Sequence, residues 1–249
     1  PRVRRQRQMC IRDSLVIADM LLKTMPEDIL SCIHNRALFY CGNLAPDAIM
    51  AREGYVREMK KHTHFKDGIP EDELAKPENF RLYRSRFENF ARHFLVDNHS
   101  NYELYLGYVT HMLADEIFIL TVRDRHVEAF RCEQAVPDYK EYFTMFGHDV
   151  DLNDWRLLRK YDFSCSILEA IQSENNYMIE GYITKEELIK SKNYIIDKNF
   201  KAPHKNEEPK VFTYEENYEF IQRAVERITR ALCAKSLSVT DESESSSAI

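Results

Sequence analysis

The amino-acid sequence predicts an all-α protein, and three observations support this prediction. Apolar residues recur at spacings of three and four along most of the 249-residue chain, which is the period of an amphipathic helix. Only six glycines and eight prolines are present, too few for the many turns of a β-sandwich or barrel. No segment has a convincing strand pattern, apart from a short one near residues 179–183. We therefore expect a single-domain helical bundle.

Composition excludes several classes of protein. With 44% apolar and 12% aromatic residues, the chain can bury a sizeable core, so disorder of the whole chain is excluded. No run approaches the ~18–20 apolar residues of a membrane span. Six scattered cysteines without a CxxC pair favour a reducing, cytoplasmic location. A net charge of −6 argues against tight binding to nucleic acid.

The first residues are unusual. Residues 1–13 hold five arginines and one aspartate, a composition that also suits a basic arm. Met9–Ser14, MCIRDS, resembles the translation of a transposase adapter used in sequencing libraries. We therefore expect residues 1–13 to be artefactual and to make no packed contacts, and the natural first residues, with any signal peptide, to be missing. The folded domain is then 14–235, followed by a disordered Ser/Glu-rich tail at 236–249.

The first half of the chain contains two predicted helices, a loop and a polar stretch. The helices are expected at Leu15–Met25, ending before Pro26, and at Glu27–Tyr40. The segment GNLAPD, Gly42–Asp47, is predicted to be a loop in which Asp47 can cap the following element. Residues 52–77 are polar and irregular.

The second half is more strongly helical. A long helix is predicted at Glu78–Leu95, and the most apolar stretch of the chain, Tyr102–Phe130, predicts another. The final helix is expected at Tyr214–Ala234. Weaker helical patterns cover 138–146, 151–173 and 184–199, the last of which begins with a Thr184/Glu187 capping box.

Two ionisable residues interrupt the most apolar helix. His111 and Asp115 stand at i and i+4, which places both side chains on one face. Burying an unpaired carboxylate is costly, so Asp115 needs a partner. One interpretation is a neutral His111 bonded to Asp115 within the helix. The other is a pair of metal ligands.

Other segments supply further donors. His62 and His64 lie in KKHTHF, and Asp47 lies beside Pro46. Two imidazoles and two carboxylates match the ligands of zinc or a similar divalent metal, although Asp47 could be a plain helix cap and the two histidines a solvated loop. We predict a metal site formed by Asp47, His64, His111 and Asp115. Whether His62, His126 or His148 joins the site stays open.

The motifs GNLAPDA, THF and ELYLGYVTHMLADEIF, in this order within residues 14–130, resemble the bacterial zinc-dependent phospholipase C family, particularly its short uncharacterised hydrolase members. The resemblance implies an all-α fold with zinc ions held in a cleft between helices. It implies that Asp47, His64, His111 and Asp115 are zinc ligands, with Asp115 bridging two ions.

The chain departs from the family pattern at two places. Ser14, the first residue of SLVIADMLL, stands where the family has a histidine, so we expect that this chain lacks one ligand and that Ser14 lies near the metal. His34 is a poor substitute, since it falls inside a predicted helix. The family's later HxxxE motif is absent, so we expect one or two zinc ions rather than three.

The resemblance implies an enzyme, a zinc-dependent hydrolase of phosphoester bonds. Metal-activated hydroxide would attack phosphorus and Asp47 would accept the proton. The substrate would be a small phosphoester or a phospholipid head group. The alternative is a non-catalytic all-α protein, metal-stabilised and serving in binding or structure. We expect His111→Ala to abolish diester hydrolysis and reduce bound zinc, and His126→Ala, at a solvated helix end, to do neither.

Overall fold

The computed structural model describes residues 11–70, 73–97, 101–132, 138–161, 165–200 and 207–234. Almost all regular structure in these ranges is helical, which confirms the all-α class. The short strand predicted near residues 179–183 is a single antiparallel bridge between Ile179 and Ile183. Within the described ranges, no helix combines the length and apolar character needed to cross a membrane.

The helices, in chain order, are α1 (Ile11–Thr24), α2 (Glu27–Leu30), α3 (Arg36–Leu44), α4 (Arg57–Thr63), α5 (Pro77–Arg92), α6 (Tyr102–Ile117), α7 (Asp124–Cys132), α8 (Tyr139–Lys160), α9 (Cys165–Ser173), α10 (Lys185–Tyr194) and α11 (Tyr214–Cys233). A 3₁₀ helix, Ala45–Ala51, follows α3 directly. Short π-helical stretches follow α5, α6 and α10, at His93–Asp97, Phe118–Arg123 and Ile195–Phe200.

The chain divides into two compact units. The terminal unit consists of Pro1–Pro26, Leu113–Asp162 and Pro203–Ile249, and the central unit of Glu27–Met112 and Phe163–Ala202. In the terminal unit, α1 packs against α8 and α11. In the central unit, α3 packs against α9, and the 3₁₀ helix packs against α4 and α10.

The start of α1 corrects one sequence expectation. Arg12 and Asp13, which were expected to make no packed contacts, are almost fully buried. Arg12 pairs with Asp154 at 2.5 Å and lies 3.9 Å from the centre of the Trp155 ring, while Asp13 accepts a hydrogen bond from Asn217 at 2.9 Å. Charged residues can be buried here because each finds a polar partner. Residues 1–10 and 235–249 lie outside the described residues.

Several predicted boundaries also differ. The helix expected at Glu27–Tyr40 is divided, because the Asn35 side chain accepts hydrogen bonds from two backbone N–H groups and starts α3. The polar stretch 52–77 contains α4, and Tyr139–Lys160 forms one continuous helix rather than two segments. The capping box of Thr184 and Glu187 is confirmed.

GNLAPD is helical rather than a loop, since Gly42 belongs to α3 and Asp47 to the 3₁₀ helix. Gly42 is required by a close crossing of α3 and α6 rather than by a turn of the chain. A Cβ atom on Gly42 would lie 1.9 Å from the Leu104 carbonyl oxygen, and one on Gly107 would lie 2.1 Å from that of Phe39. Glycine serves here to let two backbones touch.

Candidate metal centre

Three of the four predicted ligands converge in the central unit. One donor atom from each of Asp47, His64 and His111 lies within 4.8 Å of the other two. The residues come from the 3₁₀ helix, the residue after α4 and the middle of α6, and all three are buried. Because 17 and 47 positions separate them in sequence, only tertiary structure can bring them together. We call these three residues the triad.

The crossing of α3 and α6 fixes the orientation of His111. Its Nδ1 lies 2.9 Å from the carbonyl oxygen of Asn43, so Nδ1 carries the proton and donates it. A neutral imidazole protonated at Nδ1 has its lone pair on Nε2. The Nε2 atom of His111 is buried and has no hydrogen-bond partner among the described residues. Metal-ligating histidines are typically held in this way.

His64 is held in the same manner. Its Nδ1 lies 3.0 Å from the Lys60 carbonyl, which can only accept, so Nδ1 donates and Nε2 bears the lone pair. That Nε2 lies 3.4 Å from Oδ1 of Asp47. The two imidazole rings are 5.5 Å apart between centroids and nearly perpendicular, at 76°. Both lone pairs therefore belong to the same small group of donor atoms.

A strained turn presents His64. The N–H of Lys66 donates to Lys61, and the N–H of Phe65 donates to His62, which is the bonding pattern of a Schellman motif. Phe65 occupies its left-handed position with φ of 58°, where glycine is usual and other residues are disfavoured by roughly 1–2 kcal/mol. Burial offsets this strain, because the Phe65 ring packs among the rings of Phe87, Phe90, Tyr108 and Tyr182.

Thr63 connects the three elements that carry the triad. Its hydroxyl donates to the Pro46 carbonyl at 2.8 Å, which ties α4 to the residue before Asp47. Its own carbonyl accepts from the hydroxyl of Tyr108, one turn before His111 on α6. Thr63 is fully buried. The Thr63 side chain therefore holds α4 against the residue before Asp47, and its backbone carbonyl holds α4 against α6.

Asp47 is the charged member of the triad. Its Oδ1 lies 2.5 Å from Nζ of Lys60. Burial raises the pKa of this carboxyl group, but its polar neighbours, above all the positive charge of Lys60, outweigh burial and hold it well below its usual range. Asp47 is therefore ionised at neutral pH, as a metal ligand must be.

The other predicted residues lie outside the triad. Asp115 is buried on α6, one turn after His111, but is not one of the three converging residues, so its role as a ligand stays a prediction. Ser14 is fully buried on α1 in the terminal unit, and its proximity to a metal also stays a prediction. His62 is half-exposed and pairs with Asp67 at 2.8 Å.

His126 is not at a solvated helix end, which corrects the sequence interpretation. It is buried, 2.6 Å from the Tyr142 hydroxyl and against the ring of Phe146. Its charged neighbours in sequence suggest a solvated position, but they occupy other faces of α7. His148 lies in the middle of α8, where it pairs with Glu207.

On donor chemistry, the triad fits a divalent metal such as zinc. Two neutral Nε2 atoms and one ionised carboxylate form a set that zinc proteins use, and each imidazole has the supporting hydrogen bond that such ligands require. No family model, curated protein or solved structure matches the chain. Function is therefore inferred from the geometry and chemistry of the triad.

Proposed function

We propose that this chain is a zinc-dependent hydrolase of phosphoester bonds. The convergence of one donor atom from each of Asp47, His64 and His111 carries the proposal. Catalytic zinc sites typically have three protein ligands and leave a position for water or substrate, whereas structural sites are closed by four. A triad with two nitrogen donors and one oxygen donor has the catalytic count.

When bound, zinc would polarise a phosphoryl oxygen and lower the pKa of water toward ~7. The protein's contribution is to hold the donors. Asn43 and Lys60 fix the protonated Nδ1 atoms, so both histidines offer Nε2 without a change of tautomer. The depressed pKa of Asp47 keeps this carboxylate ionised and so available as a ligand. Its role as the proton acceptor, which the sequence analysis expects, stays part of the proposal.

The substrate class belongs to the same proposal. A small phosphoester or a phospholipid head group would present an anionic oxygen to the metal. The resemblance of GNLAPDA, THF and the α6 motif to zinc-dependent phospholipases supports this class.

The second candidate is a non-catalytic protein in which a metal holds helices together. The burial of Asp115 one turn after His111 favours this alternative, because Asp115 as a fourth ligand would close the coordination sphere.

The test measures zinc content by elemental analysis and turnover of bis(p-nitrophenyl) phosphate in the same samples. We expect the wild-type chain to bind zinc and to hydrolyse the diester. His111→Ala should lose both, and the drop in zinc affinity should exceed the ~10–100-fold typical of supporting residues. His62→Ala is the matched control, since His62 lies beside the triad in sequence but pairs with Asp67.

Ser14→His should be assayed in parallel, because the resemblance implies a histidine at that position. Zinc binding with no turnover in either the wild type or Ser14→His would support the structural alternative. A wild-type chain that retains no zinc would contradict both candidates.

A further inference from the structure

Lys60 has a position that the triad alone does not explain. Its Nζ lies 2.5 Å from Oδ1 of Asp47, the oxygen that also faces Nε2 of His64. The Lys60 side chain is 17% exposed, whereas those of Asp47 and His64 are 4% and 0% exposed. Lys60 is therefore the most exposed of these three side chains.

The main chain and the side chain of Lys60 have different roles. Its backbone carbonyl accepts a hydrogen bond from Nδ1 of His64, so the main chain at this position helps to hold the triad in place. Its side chain ends in a flexible ammonium group that can move without disturbing that backbone bond. A substitution of the side chain therefore tests the charge and leaves the support in place.

Lys60 and a divalent cation compete for the same oxygen. Two positive charges cannot share Oδ1 of Asp47 at ligand distances without strong repulsion in a buried site. The ammonium group must leave Oδ1 when that oxygen binds a divalent cation, and its four-carbon stem keeps it within a few ångströms of the triad. A lysine displaced in this way is a compact point charge of the kind that binds phosphate.

We propose that Lys60 is the anion-binding side chain of this site, which contacts a non-bridging phosphoryl oxygen of the substrate when the triad holds its metal. The proposal rests on the proposed function. It adds a residue that touches the substrate and a preference for anionic phosphoesters over neutral esters. It also implies that Lys60 weakens metal binding, since the ammonium group occupies a ligand atom of the triad.

Lys61 provides a matched control. It follows Lys60 on α4 and has a comparable exposure of 25%, but it pairs with Glu58 at 2.7 Å, away from Asp47. A general effect of removing one positive charge from α4 should appear in both variants. A specific effect at the triad should appear only in Lys60→Met.

The experiment compares wild type, Lys60→Met, Lys60→Arg and Lys61→Met, each checked for helical content by circular dichroism. Zinc affinity is measured by competition with a chromogenic chelator, and inorganic phosphate binding to the zinc-loaded protein by isothermal titration calorimetry. We expect Lys60→Met to bind zinc at least as tightly as wild type and to bind phosphate at least about tenfold more weakly. Lys60→Arg should keep most of the phosphate affinity, and Lys61→Met should match wild type in both.

Each contrary result is informative. Unchanged phosphate affinity in Lys60→Met would overturn the anion-binding role, and loss of zinc in a folded Lys60→Met would overturn the competition. Phosphate binding that depends on Lys60, without turnover of any phosphoester, would support the inference and contradict the proposed hydrolase. A wild-type chain that binds no zinc would contradict both.

Discussion

Two buried carboxylates, one in each unit, show how the same side chain serves structure in one place and a site in another. Asp149 is fully buried in the terminal unit, where one oxygen accepts hydrogen bonds from the backbone N–H groups of Lys210, Val211 and Phe212 at 2.6–3.1 Å. Asp47 is equally buried in the central unit, but it faces Lys60 and two imidazoles. Backbone N–H groups cannot leave Asp149, whereas the Lys60 side chain can move away from Asp47.

A pair of histidines repeats the contrast. His126 is hydrogen-bonded through Nδ1 to the Tyr142 hydroxyl and lies among the rings of Phe146 and Phe212, and burial lowers its pKa. His111 is hydrogen-bonded through Nδ1 to a backbone carbonyl and clusters with an aspartate and a second histidine. A buried histidine indicates a metal site when it clusters with other side chains that can ligate a metal, and not when it lies among aromatic rings.

The largest expected effect is on stability, from Asp149→Ala. Three backbone N–H groups would lose their acceptor, so the free energy of unfolding should fall by roughly 3 kcal/mol or more. Urea denaturation would measure this as a lower midpoint with an unchanged slope. Zinc affinity of the folded protein should stay within about twofold of wild type, because Asp149 has no part in the triad.

Asp47→Asn is the reciprocal experiment on zinc. Zinc binding should be lost, and the fall in the free energy of unfolding should be smaller than that of Asp149→Ala, since the released Lys60 side chain is partly exposed. If both carboxylate variants changed stability and zinc affinity to the same extent, the distinction between the two carboxylates would be wrong.

Thr63→Val should have an intermediate effect on the site. The substitution preserves shape but removes the hydroxyl that ties α4 to Pro46, and such supporting hydrogen bonds contribute ~10–100-fold to metal affinity. Thr63→Ser keeps the hydroxyl and should stay close to wild type. Equal zinc affinities for Val and Ser variants in a chelator competition would contradict the connecting role of Thr63.

The smallest effect concerns Arg52, which pairs with Glu187 and so ties the end of the 3₁₀ helix to α10. Burial raises the pKa of Glu187, but the hydrogen bonds and charge from Arg52 and Thr184 outweigh burial and lower it. A carboxyl with a lowered pKa stabilises the fold above its ordinary pKa, and that stability is lost as pH falls through the lowered value.

The free energy of unfolding of wild type should therefore exceed that of Glu187→Gln by about 1 kcal/mol or less at pH 7, because the Arg52–Glu187 pair is partly exposed. The gap should close as pH falls below the ordinary glutamate pKa of about 4.3. Thermal melts of both proteins across this range would measure the gap. A gap that widens in acid would show that the sign of this argument is wrong.

The sequence was sufficient for the parts of the fold that depend on local pattern. Apolar spacing predicts the helices, and the i, i+4 relation of His111 and Asp115 marks a helix face where polar groups interrupt an apolar stripe. The residue types of Asp47 and His64 suggest ligands, and the structure brings both to His111.

What could not be predicted depends on backbone atoms brought together by packing. The carbonyls of Asn43 and Lys60 orient the two imidazoles, but every residue has a carbonyl, so nothing in the sequence marks these two. The sequence predicts a loop at Gly42, because the close approach of α6 is not visible in the sequence. Thr63 and Phe65 did carry a signal, since THF is part of the quoted motif, but their roles come from tertiary contacts.

The central claim is that Asp47, His64 and His111 hold one divalent cation, and anomalous diffraction at the zinc edge tests it most directly. Crystals grown with zinc should show an anomalous peak ~2.0–2.2 Å from Nε2 of His64, Nε2 of His111 and a carboxylate oxygen of Asp47. Lys60 should no longer contact the ligating oxygen. Zinc found elsewhere, or coordination through either Nδ1 atom, would contradict the account.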